Sequence, residues 1–280
     1  MKIIKNIRFM QNLVENLPKS IGLVATMGGI HQGHLALIKK SIKENSTTIV
    51  SLFVNPAQFN KTKDFIQYPR NIKKDLKLLE SLKIDILFSP NKDEIYPENF
   101  YSSVSIPDLE NKLEGMMRPD HFKGVATVVI KLLNITSPDK AYFGQKDAQQ
   151  SIIIKKMIAD LNLKTKIVIV PIVRDENGLA YSSRNEHLTK QELKEASNIY
   201  SSLKKATTLY NQGINNPIIL KKEIETKLSS IPSLKSIDYV SIANPETLDE
   251  LSEIKKNTSF LISTAVYVGN TRLIDNILVK

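Results

Sequence analysis

The chain has 280 residues, 41% hydrophobic, 24% charged and 6% aromatic, with ten glycines, twelve prolines and no cysteine. This length buries a sizeable core in one large domain or two modest ones, and the composition excludes a collagen-like, low-complexity or wholly disordered chain, while the lack of cysteine excludes disulfides, thiolate metal sites and a cysteine nucleophile. The net charge of +10 lies in residues 1–174, with 26 basic and 16 acidic side chains against 13 of each in residues 175–280; this suits anionic ligands from nucleotides to nucleic acid, and equally suits solvated lysines.

Along the chain, Ile21–Thr26 is an apolar run of strand length, followed by a glycine-rich turn and a helical stretch with Leu35, Ile38 and Ile42 on one face. Residues 48–54 are β-branched and read as a second strand that ends at the Asn55-Pro56 turn signal. Residues 71–83 place Ile72, Leu76, Leu79 and Leu82 at helical spacing, and residues 85–88 return as a strand. The pattern repeats, with a helix over 122–135, a strand over 141–143, a helix over 148–161 and a strand over 167–170 closed by Pro171. Strands separated by crossover helices predict an α/β domain with a parallel sheet covered on both faces. The ligand crevice of such a sheet lies beyond the carboxyl ends of its strands.

After about Val173 the texture changes. Two amphipathic helical stretches, Lys190–Asn211 and Pro217–Ser229, precede strand-like pieces at 238–242, Phe260–Val268 and 272–274. We expect a first domain over 1–173 and a smaller α+β domain over 174–280. Apolar runs such as 125–130 are far short of a membrane span, and the charged first residues lack the core of a signal peptide, so a soluble cytoplasmic protein is expected.

The strongest chemical signal is Thr26-Met27-Gly28-Gly29-Ile30-His31-Gln32-Gly33-His34, directly after the first strand and opening a helix. Two of the four histidines stand three apart here, on one face of a helix start, and Gly33 is expected to let a ligand approach the backbone. Free amides and the positive end of the helix dipole suit a phosphate chain. A metal site lacks a third ligand of obvious spacing, and a purely capping pair would explain neither the glycines nor the position.

A second cluster, Phe143-Gly144-Gln145-Lys146-Asp147-Ala148-Gln149-Gln150, also lies at a strand end before a helix. Lys146 suits polyphosphate oxygens and Gln150, one turn on, suits a small polar substrate; taken alone, the octet reads as a common loop with a solvated lysine. A third, Tyr181-Ser182-Ser183-Arg184-Asn185, is a small anion clamp or a polar loop with a helix N-cap. Asn55-Pro56-Ala57-Gln58-Phe59 follows the second strand, which puts its amides on the crevice side, and Arg118-Pro119-Asp120-His121-Phe122-Lys123-Gly124 packs a cation, a histidine and a glycine before another helix; either is compatible with an ordinary turn.

In this order and spacing, these stretches closely resemble the pantoate–β-alanine ligase (pantothenate synthetase) family. The match includes Phe53-Val54 before Asn55, Tyr68-Pro69-Arg70, Glu114-Gly115, and Thr271-Arg272-Leu273-Ile274-Asp275-Asn276 near the end, so the whole chain is covered. The first histidine motif alone marks only the broad HIGH-motif nucleotidyltransferase superfamily. The resemblance implies a Rossmann-like ATP- and pantoate-binding domain with a small carboxy-terminal lid domain, usually in a homodimer. It implies attack of the pantoate carboxylate on the α-phosphate of ATP, release of pyrophosphate, and then attack of the β-alanine amine on the pantoyl adenylate, with release of AMP.

Carried over residue by residue, the resemblance makes His34, His31 and Lys146 catalytic, with His34 in the proton-donor position. It places Met27, Gly28, Gly29, Ile30, His31, Gln32, Gly33 and His34 on ATP, together with Gly144, Gln145, Lys146, Asp147, Val173, Tyr181, Ser182, Ser183 and Arg184. Gln58 and Gln150 would bind pantoate, Gln58 also lying near β-alanine. Mg²⁺ is expected as a partner of the polyphosphate. Gln145 stands where a glutamate is usual, Tyr181 where Leu or Met is usual and Asp120 where a small neutral residue is common. Lys73-Lys74-Asp75 is less acidic than in some members, which argues against a magnesium ligand at Asp75.

Other nucleotidyltransferases would share the histidine motif without needing the paired Gln58 and Gln150. A fragment of an aminoacyl-tRNA synthetase is disfavoured by the neutral tail. A nucleic-acid-binding protein is disfavoured by low aromatic content and the lack of a basic stripe with interleaved aromatics, and a catalytically dead homologue by the filling of every expected polar position.

Overall fold

In the computed structural model, which describes residues 1–59, 65 and 71–280, six strands pair in parallel. Tyr68-Pro69-Arg70 lies outside the described residues. The strands are β1 (Lys2–Ile4), β2 (Ile21–Thr26), β3 (Thr47–Leu52), β4 (Ile86–Phe88), β5 (Lys140–Gly144) and β6 (Lys166–Val170), in the order β1-β4-β3-β2-β5-β6. The chain proceeds from β2 outward through β3 and β4, then returns to β5 on the other side of β2. This reversal makes the carboxyl ends of β2 and β5 the switch point of a Rossmann-like sheet.

Alternation along the strands sends apolar side chains to two cores. Ile21 and Leu23 of β2 join a cluster with α1 (Ile7–Glu15), α4 (His121–Thr136) and α5 (Ala148–Asp160). Val24 and Val50 face the other way, against Leu37 and Ile38 of α2 (Gln32–Glu44) and Leu79 of α3 (Ile72–Ser81). The sheet is therefore covered on both faces, as parallel sheets require.

Two inward faces differ from the periodic reading. In α2 the buried positions are Leu37, Ile38 and Ser41, while Ile42 is exposed. Ser41 turns inward because Gly22 of β2 leaves space against it, and its hydroxyl pairs with that of Thr48 at 2.9 Å. In α3, Ile72 is exposed and Asp75 is buried with Leu79, one turn apart. The three-residue strand β1 and helix α1 escape the periodic reading altogether, since three edge residues carry too little pattern to separate strand from coil.

By chain contacts the protein forms two units. The first is Met1–Asn111, Gly115–Gly144 and Gln150–Pro171; the second is Lys112–Glu114, Gln145–Gln149 and Ile172–Lys280. The second contains α6 (Lys190–Asn211), α7 (Pro217–Ser229) and an antiparallel meander of β7 (Leu234–Ala243), β8 (Phe260–Val268) and β9 (Thr271–Val279). Its core joins Ile199 and Leu203 of α6, Leu220 and Ile224 of α7, and Phe260, Ile262 and Val266 of β8. Strand β9 runs five residues past the expected end at Ile274, because buried Asp275 and Asn276 interrupt the apolar pattern without interrupting the pairing.

Among the described residues no helix is long and apolar enough to cross a membrane. Leu203 is fully buried, so Leu203→Ala is expected to destabilise the second unit by about 2–5 kcal/mol, the usual cost of such a cavity. Urea unfolding followed by circular dichroism measures it.

Candidate active site

Strand β2 ends at Thr26, and the turn after it runs through two glycines. Gly28 has φ 85° and Gly29 φ 64°, in the left-handed region where side chains are strained. The backbone donors of this turn are taken up one after another by protein atoms. The amide of Gly28 donates to Thr26 Oγ1 at 3.4 Å, that of Gly29 to Asp75 Oδ2 at 2.9 Å and that of Ile30 to Asp75 Oδ1 at 2.9 Å. The expectation of free amides at the motif is corrected by these contacts.

Helix α2 then opens on a reciprocal cap. His31 Nδ1 accepts from the Gly33 amide at 3.1 Å, and His34 Nδ1 accepts from the His31 amide at 3.3 Å. The pair does cap the helix, so capping does account for the position, contrary to the reading of the sequence. Gly33 is explained too: a Cβ there would lie 2.9 Å from Cε1 of His31, so the glycine makes room for the imidazole, where a ligand was expected. The rings stand 4.1 Å apart, centre to centre. An Nδ1 that accepts carries no proton, so each neutral ring bears its proton on Nε2. Capping thereby prepares two N–H donors, which is what phosphate oxygens require.

Beyond β3, Asn55 caps the short 3₁₀ helix Pro56–Gln58 and ties Gln58 down. Asn55 Nδ2 donates to Gln58 Oε1 and to the Gly124 carbonyl, both at 3.0 Å, while the Tyr96 hydroxyl donates to Asn55 Oδ1 at 2.8 Å. His121 Nδ1 donates to the Gln58 carbonyl at 2.8 Å, which leaves Nε2 to accept from Arg118 at 3.2 Å. Gly124 is required here, because a Cβ would come within 2.2 Å of the Ala57 carbonyl oxygen. Asp120, before α4, has φ 60°, a conformation that a glycine adopts freely and that aspartate tolerates better than most residues. Gln58 is buried, and Gln150 is half-buried on α5. The first unit therefore gathers the histidine motif, Gln58, Gly144 and Gln150 at the carboxyl ends of adjacent strands β2, β3 and β5.

The second unit assembles the remaining positions. Val173 and Tyr181, eight residues apart, meet where the Tyr181 amide donates to the Val173 carbonyl at 3.1 Å, beside the bridge between Arg174 and Ala180. Ser182 caps the 3₁₀ helix Ser183–His187 by accepting from the Arg184 amide at 3.3 Å. Lys146, Ser182 and Arg184 line one pocket with Arg272 and Asp275. Ser183 adjoins it in sequence, and Asp147 is exposed next to Lys146, 3.6 Å from its Nζ.

Of the residues that hold this pocket, Arg174, Tyr200 and Asp238 were not singled out in the sequence, while Glu114, Arg272, Asp275 and Asn276 entered only as parts of stretches in the family match, with no role given. Asn276 Nδ2 donates to the carbonyls of both Gln145 and Lys146 at 2.9 Å, and Gln145 Nε2 donates back to Asn276 Oδ1 at 3.4 Å. That return bond needs the amide at position 145; a glutamate could not donate it. Asp275 pairs with Arg174 through two bonds of 2.6 and 2.8 Å, and the Arg174 guanidinium stacks 3.5 Å over Tyr200. Arg272 binds Glu114 at 2.6 and 2.9 Å and Asp238 at 2.6 Å. Burial works to lower the Arg272 guanidinium, but the two carboxylates raise it above its ordinary value. Burial, reinforced by Glu114, pushes the Tyr239 hydroxyl well up, so it remains a donor to Glu114 at 3.0 Å.

A Rossmann-like sheet whose first inner strand delivers paired histidines onto a helix start defines a nucleotidyltransferase of the HIGH-motif superfamily. A family model described as Pantoate-beta-alanine ligase matches residues 2–278. The pantothenate synthetase of Sulfurihydrogenibium sp. is 45% identical over 280 residues, covering 99% of each chain. That of Clostridium botulinum is 48% identical over 266 residues, covering 95% of this chain and 93% of its own. Crystalline pantothenate synthetase from Thermus thermophilus superposes with a TM-score of 0.91 at 37% identity, with 99% of each chain covered. The Francisella tularensis pantoate-beta-alanine ligase, complexed with beta-gamma ATP and beta-alanine, gives 0.78 at 37% identity, covering 99% of this chain and 97% of its own. The chain belongs to the pantoate–β-alanine ligase family, AMP-forming enzymes that condense pantoate and β-alanine to pantothenate through an adenylate.

Asn276→Asp would turn a carboxylate oxygen toward the two carbonyl oxygens of Gln145 and Lys146. It is expected to cost about 1–3 kcal/mol of stability and to weaken ATP binding at least tenfold. Thermal unfolding and calorimetric titration with ATP measure the two effects.

Proposed function

We propose that His31 and His34 bind the phosphates of ATP through their Nε2–H groups, with His34 donating toward the charge that develops as pyrophosphate departs. The reciprocal cap carries this reading: both Nδ1 atoms accept from backbone amides, so both protons lie on Nε2. Lys146, Ser182, Ser183 and Arg184 act on the same triphosphate as cations and hydroxyl donors. Met27, Gly28, Gly29, Ile30, Gln32 and Gly33 shape the first nucleotide loop. Gly144, Gln145, Asp147, Val173 and Tyr181 complete the nucleotide contacts. Gln58 and Gln150 bind the hydroxyls and carboxylate of pantoate, and Gln58 also serves the β-alanine position.

The chemistry needs little activation of the nucleophile. A pantoate carboxylate oxygen forms a bond to the α-phosphorus as the bond to the bridging oxygen breaks, and pyrophosphate leaves with that electron pair. The β-alanine amine then attacks the acyl carbon, the acyl–oxygen bond breaks toward AMP, and the amine loses a proton. The difficulty is to bring anions together, which preset donors and cations accomplish without reorganising at the moment of reaction.

Mg²⁺ bound together with ATP would supply neutralisation of phosphate charge. Among the described residues no group of three His, Asp or Glu side chains is placed to hold a metal ion, and both oxygens of Asp75 already accept amides. We also propose a first functional domain over residues 1–173, a smaller one over 174–280, and a homodimer, as the family resemblance implies. A cytoplasmic location, without a membrane or nucleic-acid partner, suits an enzyme that consumes ATP and two small hydrophilic acids.

Pantoate-dependent exchange of labelled pyrophosphate into ATP, followed by AMP release on adding β-alanine, tests both half-reactions. His34→Ala and Lys146→Ala are each expected to slow the exchange by about 100-fold or more. Wild-type exchange in either variant would remove that side chain from the mechanism. Gln58→Ala is expected to raise the KM for pantoate, with little change in the KM for ATP; an unchanged pantoate KM and kcat would contradict its role.

A further inference from the structure

Asp75 holds the position that a bound anion holds in other glycine-rich turns. Two successive amides, those of Gly29 and Ile30, converge on its carboxylate, one on each oxygen at 2.9 Å. The residue is 2% exposed. A Cβ on Gly28 would lie 3.0 Å from its Oδ2, so the turn and the carboxylate are packed against each other. Asp75 itself is held in the first turn of α3: its amide donates to the Asn71 carbonyl at 2.9 Å, and Asn71 Oδ1 caps the Lys74 amide at 3.0 Å. The neighbouring Lys73 and Lys74 are exposed.

We infer that Asp75 is a positioning residue for the His31–His34 pair. Its carboxylate takes the amides that would otherwise receive a phosphate oxygen, sets the left-handed turn at Gly28 and Gly29, and so determines where α2 begins and how the two imidazoles are capped. Phosphate contact is thereby left to the imidazole Nε2–H groups and not to the Gly29 and Ile30 amides. This deepens the proposed function and rests on its assignment of the histidines.

The test is Asp75→Asn, which is isosteric but sets an NH₂ against one of the two amides. The chain has only four histidines, so nitrogen-resolved NMR of its imidazoles is simple, with His121 and His187 as internal references. In the wild type, His31 and His34 are expected in the Nε2–H form, and the Gly29 and Ile30 amides are expected to exchange slowly with solvent. In Asp75→Asn, the His31 and His34 signals should shift or broaden while those of His121 and His187 stay in place. Pyrophosphate exchange should fall at least tenfold, with the pantoate KM within twofold of wild type.

Unmoved His31 and His34 signals would overturn the inference, whether or not activity falls, since the residue would then not act through the pair. Should Asp75→Asn fail to fold, the wild-type amides decide: rapid exchange at Gly29 and Ile30 overturns the anchoring, and protection of both supports it. If the signals move while His34→Ala retains wild-type exchange, Asp75 positions the pair as inferred, and it is the assignment of His34 to the chemistry that falls.

Discussion

Strand β2 is paired on both sides and buried from Ile21 to Val24, so the chain that leaves its carboxyl end must find partners for its amides away from the sheet. A buried donor without a partner costs about 1–3 kcal/mol, and four successive donors, two buried and two part-buried, emerge at Gly28, Gly29, Ile30 and His31. The protein supplies those partners from Thr26, Asp75 and His34, and His31 in turn takes the Gly33 amide. The glycine turn is therefore shaped by side chains of the protein, one of them from α3. Donors that are set in advance need not reorganise when charge develops on a phosphate, and this is the condition for strong electrostatic stabilisation.

The second unit meets the same constraint in an antiparallel sheet. Asp275 and Asn276 are buried in the middle of β9, where an apolar pair would pack more simply. Burying such groups is unfavourable unless each is bonded. Asp275 is satisfied by the fork of Arg174, and Asn276 by the carbonyls of the loop that carries Lys146. The second residue of the same strand is Arg272, whose guanidinium is filled by Glu114 and Asp238. Polar residues inside one strand thus organise the loop, the hairpin at Val173 and Tyr181, and the segment at Glu114.

Periodicity was most informative where burial alone decides placement. The inner strands and the two long helices of the second unit lie where apolar spacing puts them, because each buries a continuous stripe. It misled at three positions, all with polar groups facing inward. Ser41 displaces Ile42 from the inner face of α2, Asp75 displaces Ile72 in α3, and Asp275 with Asn276 hides the second half of β9. A polar residue that is buried because it is bonded carries no hydrophobic signal, yet two of these three positions organise the glycine turn and the loop of Lys146.

The sequence by itself determined the parallel α/β sheet, the smaller α+β region, the histidine motif at the end of β2 and the family to which the chain belongs. Those properties depend on local spacing and on motifs read in order. Only the tertiary structure decided which imidazole nitrogen carries the proton, because that follows from the amides the other nitrogen accepts. It also decided which carboxylate holds the glycine turn, 46 residues away, and which amide holds the loop of Lys146, 130 residues away. Hydrogen bonds over such separations are set by the path of the chain through space, which local periodicity does not encode.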